Sequence, residues 1–364
     1  MSNIPKLRFP EFSGEWEEKK LGECLTLFYG KDWKDKSSTK KLYPVLGTGG
    51  VISYIDEFIY DKPCVLIGRK GSINNPVFID KPFWTVDTQF YSEIHEGYSP
   101  KFLYYIFCTE NWSKHDESTG VPSLSAKNVE NTYKHIPSYS EQQKIADFLS
   151  NVDSIITAET KILKTLQKKK KALMQKLFTQ QLRFKSADGT DFPAWEEKKV
   201  IDFAKVDTGA NNTQDKVEDG PYPFYVRSPI IYRSNNYIFD FPEAVLTVGD
   251  GVGTGKVFHY VQGKFDCHQR VYVIHDFENV LGKYFYFYFS EKFYARVKPM
   301  SAKNSVDSVR REMITDMKIP IPCKAEQQKI ADCLSSLDLL IQTQQKVVTT
   351  WQQRKKALLQ QMFI

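Results

Sequence analysis

The feature that most constrains this chain is a stretch that occurs twice. Residues 141–178 read EQQKIADFLSNVDSIITAETKILKTLQKKKKALMQKLF and residues 326–363 read EQQKIADCLSSLDLLIQTQQKVVTTWQQRKKALLQQMF, without a gap and with about half the positions identical. Two copies of one pattern must each bury the same face, so the duplication sets the architecture before any local signal does. In the first copy Ile145, Leu149, Val152, Ile156, Leu163, Leu166, Leu173 and Leu177 follow steps of four and three, broken only by Glu159 and Lys170. The second copy carries Ile330, Leu334, Leu337, Ile341, Val348, Trp351, Leu358 and Met362 on the same steps, with Gln344 and Lys355 at the same two polar positions. That alternation is the seam of a coiled coil. An apolar stripe can equally be ordinary core, but two matched stripes favour pairing with each other, and at about 1.5 Å per residue each helix would run to roughly 55 Å. Such helices act as spacers.

The repeat reaches beyond the helices. Leu7-Arg8-Phe9 followed by Trp16-Glu17-Glu18-Lys19-Lys20 returns as Leu182-Arg183-Phe184 followed by Trp195-Glu196-Glu197-Lys198-Lys199. The order is domain, helix, domain, helix, with boundaries at 1–138, 139–181, 182–322 and 323–364. Within the domains Tyr43-Pro44-Val45 matches Tyr222-Pro223-Phe224, Val65 to Gly68 matches Val245 to Gly249, and Phe83 to Val86 matches Phe265 to His268. These read as turns and buried strands. Residues 101–107 and 283–289 precede polar, helix-compatible residues and read as a buried helix in both. Each domain closes on Ile-Pro, at Pro137 and Pro322, which holds the chain extended before its long helix. Ser140 with Gln143 suits a capping box on the first helix, whereas Ala325 stands at that position in the second. If the helices pair antiparallel, the end of the second lies beside the start of the first domain, so Ile364 is expected near Met1. The expected fold is α+β: two similar mixed α/β domains and an antiparallel coiled coil, related by a pseudo-two-fold.

Charge has to be located before it is interpreted. The chain carries +6 overall, yet residues 1–140 hold 17 basic and 18 acidic groups and residues 182–325 hold 20 and 19. The excess sits on the helices, chiefly at Lys168 to Lys171. Composition alone therefore does not establish nucleic-acid binding. The six cysteines show no CxxC spacing and read as reduced thiols. No apolar run has the length of a signal or a membrane span, so a soluble, cytoplasmic protein with no membrane partner is expected.

No motif of self-sufficient chemistry emerges. The glycine cluster Gly249-Asp250-Gly251-Val252-Gly253-Thr254-Gly255-Lys256 follows a strand, but it lacks the Walker pattern's glycine at Asp250 and its hydroxyl at Val257. The dinucleotide pattern fails in every frame. The histidines form no HExxH, and there is no nucleophile elbow, methyl-donor loop or carboxylate cluster, so neither catalytic nor metal-ligating residues are assigned. Gly68-Arg69-Lys70-Gly71-Ser72 occupies the matching station in the first domain. A basic turn is the bland reading. Glycines beside cations also permit close approach to phosphate, and both domains place such a loop after the same strand.

Taken together, the chain resembles the specificity subunits of type I restriction-modification systems over nearly its whole length. The resemblance rests on the duplicated EQQKIAD and KKALxQxxF helices, the LRFP opening, Gly68 to Gly71 with Phe83 to Thr88, Thr119-Gly120-Val121-Pro122-Ser123-Leu124, and the Lys318-Ile319-Pro320-Ile321-Pro322 hinge. It implies that each globular region is a target recognition domain reading one half of a bipartite site in double-stranded DNA, with the helices fixing the gap. It also implies that the helices dock two adenine methyltransferase subunits, to which translocase-nuclease subunits can be added. S-adenosylmethionine and ATP with magnesium would belong to those partners, leaving this chain a non-catalytic subunit without a cofactor.

Candidate DNA contacts in the first domain are Arg69, Lys70, Ser72, Asn74, Asn75, Lys127 and Asn128. Arginine pairs with guanine and asparagine with adenine in the major groove. In the second domain they are Arg227, Lys256, Gln269, Arg270, Lys303, Asn304, Arg310 and Arg311. The second domain lacks the Thr-Gly-x-Pro element, and Met300 to Asn304 is read as standing near its place. Two other classes compete: a fused enzyme, which would need a methyl-donor site, and a coiled-coil adaptor whose domains bind protein.

Overall fold

The computed structural model describes residues 3–251, 253–301 and 308–364. Its contacts divide the chain into two compact units, one holding the residues up to Lys161 together with Gln345–Ile364, the other Ile162–Gln344. The long helices span Tyr139–Phe178 and Lys324–Met362, so each unit contains one domain and a portion of both helices. All sixteen seam residues are buried or half-buried.

In the first unit four antiparallel strands lie in the order Leu25–Tyr29, Gln89–Ile94, Cys64–Gly68, Val77–Ile79. A second sheet pairs Trp84–Thr85 parallel to Tyr43–Gly47, which forms a hairpin with Gly50–Ile55. The second unit has the same succession as one continuous sheet: Lys205–Thr208, Val271–His275, Phe239–Val248, Phe258–Cys267, Tyr222–Tyr225, Ile231–Ser234. The ten-residue strand Phe258–Cys267 bridges the two halves there. Its counterpart in the first unit is interrupted at Asp80-Lys81-Pro82, where proline has no N–H to give the ladder.

The aromatic stretches are helical, within Pro100–Thr109 and Gly282–Ser301. Ser99 caps the first by accepting the N–H of Phe102, and Pro100 stands at its first position, where no N–H is needed. Residues 284–289 alternate as a strand would, but rings four apart stack, Phe285 on Phe289 at 5.0 Å and Phe289 on Phe293 at 4.3 Å. Phe258 on the sheet meets that face edge-on, while Lys170 of the long helix lies 5.1 Å over Phe287. A helix covered on two sides does not show the one-faced period.

The repeated Glu-Gln of each long helix is buried, with Glu141, Gln142, Glu326 and Gln327 all at most 2% exposed. Glu141 accepts Arg8 through Nε and Nη2, both at 2.7 Å, and Trp16 Nε1 at 3.3 Å. Glu326 accepts Arg183 Nε and Nη2 at 3.1 and 2.7 Å and Trp195 Nε1 at 2.9 Å. Gln142 accepts the N–H of Ser99 and donates to the Pro137 carbonyl; Gln327 accepts the N–H of Leu281 and donates to that of Pro322. Each helix start is thereby tied to the Arg and Trp that open its domain and to the edge of its aromatic helix. The expected capping box is not formed, because the helix begins at Tyr139, ahead of Ser140. Ser140 Oγ meets Ser138 Oγ at 3.2 Å and Gln143 donates to Tyr139 Oη, while Gln142 N–H closes the first turn on Ser138 O.

Two of the four polar interruptions, Lys355 and Lys170, form ion pairs across the helix segments, and with Met362 packed among Ile145 and Leu149, and Leu177 among Ile330 and Leu334, they show the segments antiparallel within each unit. Lys355 meets Asp153 at 2.6 Å in the first unit, and Lys170 meets Asp338 at 2.5 Å in the second. At the far ends Phe363 stacks on Phe102 at 5.4 Å, and Phe178 packs edge-on against Tyr288 at 5.2 Å. The N–H of Leu7 donates to Gln361 O at 2.9 Å, as that of Leu182 donates to Lys176 O at 3.1 Å. The end of the second helix thus serves the first domain as the end of the first helix serves the second. Met1 lies outside the described residues, so the expected meeting is seen from Leu7 onward.

Candidate nucleic-acid interface

In the first unit the strand Cys64–Gly68 is fully buried and delivers the chain to a tight loop. Gly68 is obligatory, since a Cβ there would come 2.4 Å from Ser72 O, and Gly71 takes the left-handed φ of +83°. Between them Arg69 N–H donates to Thr88 O at 2.8 Å, while its carbonyl accepts Leu124 N–H at 2.9 Å. Gly71 N–H donates to Pro122 O at 2.8 Å, and Lys70 bridges Ser123. The Thr-Gly-Val-Pro-Ser-Leu segment is therefore laid against the basic loop. Two separate motifs of the sequence make one surface.

The side chains on this surface differ in freedom. The Arg69 guanidinium lies 5.2 Å over the Tyr29 ring and donates to Asp87 O at 3.2 Å. Lys70, Ser72 and Asn75 are exposed, as are Lys127 and Asn128 on the short helix Ala126–Glu130. Asn74 is exposed too, but its amide is engaged at both ends, Nδ2 with Ser113 Oγ at 2.5 Å and Oδ1 with Ser113 N–H at 3.2 Å. It pins the turn at Trp112–His115, a use that spacing does not reveal. The turn of the Tyr43–Ile55 hairpin abuts the same loop, because a Cβ on Gly68 would sit 3.2 Å from the Thr48 methyl.

The second unit builds the same junction from other side chains. Gly249 N–H donates to Arg270 O and the Gly249 carbonyl accepts Val309 N–H, each at 2.7 Å. Asp250 bridges Ser308, and Gly251 takes a φ of +77°. Ser308-Val309 thus occupies the place of Ser123-Leu124; of the residues read as standing near it, Ala302, Lys303 and Asn304 lie outside the described residues. The shared cation is corrected: where the first loop has Arg69-Lys70 the second has Gly249-Asp250. Lys256 instead lies 4.9 Å over the Tyr294 ring. The cations arrive from the turns beside other strands, Arg227 Nη1 at 3.4 Å and Arg270 Nε at 3.8 Å from Asp250. Both arginines are largely exposed, so Asp250 orients them while contributing at most about 1 kcal/mol.

Gln269 donates to Asn212 Oδ1 at 2.7 Å, and Arg310 and Arg311 are exposed at the start of the helix Arg311–Thr315. Lys303 and Asn304 lie outside the described residues. Beneath this edge Asp266, 1% exposed, accepts Asn211 Nδ2 at 2.7 Å, Ser234 Oγ at 2.9 Å and Cys267 N–H at 2.8 Å. Burial lowers the affinity of His268 for a proton, and Arg227 adds to the effect. Arg227 and Arg270 are candidates from the chain, but that Asp250 joins them has no signal there, since the three are 20 or more residues apart.

Among the described residues no group of three or more His, Cys, Asp or Glu could hold a metal ion, and no helix is long and apolar enough to cross a membrane. All six cysteines are free thiols, and burial raises Cys24 to about 11 and Cys64 to about 12, the reverse of what a nucleophile requires.

Comparison with known proteins agrees with this geometry. The sequence model described as the type I restriction modification DNA specificity domain matches twice, over residues 13–168 and 194–350. The chain is 25% identical to the type I restriction enzyme MjaVIII specificity subunit of Methanocaldococcus jannaschii, covering 97% of this chain and 92% of that one. It is 29% identical to the Escherichia coli EcoDI specificity subunit over 39% of this chain and 31% of that protein. Among solved structures, the S subunit of a type I restriction-modification system from M. genitalium superposes with a TM-score of 0.73 at 15% identity, covering 99% of both chains.

Proposed function

The chain belongs to the type I restriction modification DNA specificity family, and from that premise we propose that its two domains each read one half of a bipartite site in double-stranded DNA. The paired helices set the distance between the halves and dock two adenine methyltransferase subunits, through which translocase-nuclease subunits join the complex. S-adenosylmethionine and ATP with magnesium act in those partners, in the cytoplasm, and this chain supplies recognition without catalysis. One observation carries the reading: the same backbone junction is built twice, yet it presents Arg69 and Lys70 in one domain and Asp250 flanked by Arg227 and Arg270 in the other. A scaffold repeated with different side chains is what two readers of different sequences require. An adaptor binding one protein through both domains would be expected to repeat its contact residues.

The test is to exchange residues 195–318 for the corresponding domain of another family member and to sequence the methylome of a host that also expresses the methyltransferase. One half of the methylated motif should change and the other stay. Changes in both halves, or in neither, would overturn the modular reading.

A further inference from the structure

The first domain carries a lysine-rich loop for which the DNA-reading surface described above has no role. Residues 31–42 hold five lysines and two aspartates, whereas the loop of equal length at 210–221 in the second domain holds one lysine against Asp215, Glu218 and Asp219. The two loops are equivalent in the fold. Each follows a glycine, Gly30 or Gly209, whose added Cβ would collide with the strand end at Val86 O (2.1 Å) or Cys267 O (2.0 Å). Each leads into the matching strand, Tyr43–Gly47 or Tyr222–Tyr225.

The backbone of the first loop is firmly held. Lys31 N–H donates to Thr85 O and Trp84 Nε1 to Lys31 O, both at 2.9 Å. Asp56 gathers the far side, accepting Ser37 Oγ at 2.6 Å, Lys40 and Lys41 N–H at 2.8 Å each, and Thr39 N–H at 3.2 Å. The Ser37 hydroxyl, followed by those three N–H groups, holds the Asp56 carboxyl below its ordinary value, so the clasp is ionised at neutral pH. Lys41 accepts a φ of +52° to complete the turn. Lys36 is spent, 2.8 Å from Glu57 and 5.2 Å over the Trp84 ring. Lys31, Lys40 and Lys41 are exposed, and among the described residues no carboxylate lies within ion-pair distance of their ammonium groups.

A loop with a fixed backbone and free lysines differs from an ordinary solvated charge run, because its charges are presented at set positions. It also adjoins the reading surface: the strand Trp84–Thr85 that anchors Lys31 continues into Asp87 and Thr88, the residues whose carbonyls hold Arg69. Lysine ammonium groups beside base-reading loops contact phosphate, which positions a protein on DNA without reading sequence.

We propose that Lys31, Lys40 and Lys41 form a phosphate-contacting arm of the first recognition domain, and that the loop at 210–221 of the second domain makes no equivalent contact. The inference rests on the DNA-reading function proposed above. Each lysine–phosphate contact adds about 0.9 to the slope of log affinity against log salt. The full chain with its methyltransferase subunits is titrated onto a duplex carrying its methylation motif, over a fourfold range of salt. K40Q/K41Q should give a slope shallower by about 2, and so lose about twelve-fold less affinity than the parent over that range. K40R/K41R should restore the slope, K216Q should leave it unchanged, and the methylated motif should be the same in all.

An unaltered slope in K40Q/K41Q with specific binding intact would overturn the arm and leave the reading function standing, as would a changed base in the motif. An equal effect of K216Q would overturn the asymmetry between the two loops. A parent complex that binds no duplex specifically would overturn the function itself, and the arm with it.

Discussion

Replacing Glu141 by alanine should detach the first domain from its helix, at a cost that the structure allows to be worked out. The carboxylate is 2% exposed and receives three donors: a two-pronged guanidinium from Arg8 at 2.7 Å and the Trp16 indole at 3.3 Å. Removing one partner of a buried pair costs about 3–5 kcal/mol, because the survivor stays desolvated. Arg8 keeps bonds to the carbonyls of Gly14 and Ser13, and its side chain is 13% exposed. The loss should therefore fall at the lower end, about 3 kcal/mol, or roughly two orders of magnitude in the folding equilibrium. Arg8→Ala should cost a similar amount. The double variant should cost less than the sum by about 1–3 kcal/mol, since the second substitution removes a group already stranded by the first. Urea unfolding followed by tryptophan fluorescence reads this unit, which holds Trp16, Trp33, Trp84, Trp112 and Trp351 against Trp195 alone in the other. A shift below about 1 kcal/mol for Glu141→Ala, or strict additivity with Arg8→Ala, would refute the reasoning.

Three further outcomes are expected. Arg69→Ala should weaken specific binding by about 1–3 kcal/mol or relax one position of one half-site; an unchanged affinity and motif would remove Arg69 from the interface. Inserting four residues in one long helix should add about 6 Å, nearly two base-pair steps of about 3.4 Å, and packing should survive because four is itself a step of the seam; methylome sequencing that finds an unaltered spacer would count against the ruler. A fragment of residues 1–181 should dimerise and read a palindrome of the first half-site, since the Lys176 carbonyl that receives Leu182 can take the place of Gln361 under Leu7; sedimentation of a folded fragment as a monomer at micromolar concentration would exclude it.

The long helices, their seam and the two-domain order were all legible in the chain. Hydrophobic period is a local property, repeated over many residues, and a duplicated chain states it twice. The matched strand stations were legible for the same reason, and Tyr43–Val45 pairs alongside Trp84 as Tyr222–Phe224 does alongside Asp266. Tertiary structure decided what each station carries. Asp250 is a clasp for Arg227 and Arg270, Asn74 is committed to Ser113, and Ser308-Val309 lies against the second loop as Ser123-Leu124 lies against the first. It also turned the repeated Glu-Gln, which on a helical wheel reads as a polar helix start, into the buried tie between each helix and its domain. The distinction is physical. A helix face is set by neighbours three and four residues away, whereas a carboxylate's partners here lie 20 to 143 residues off, brought within reach only by the packing of sheets and helices that carry no record of the pair.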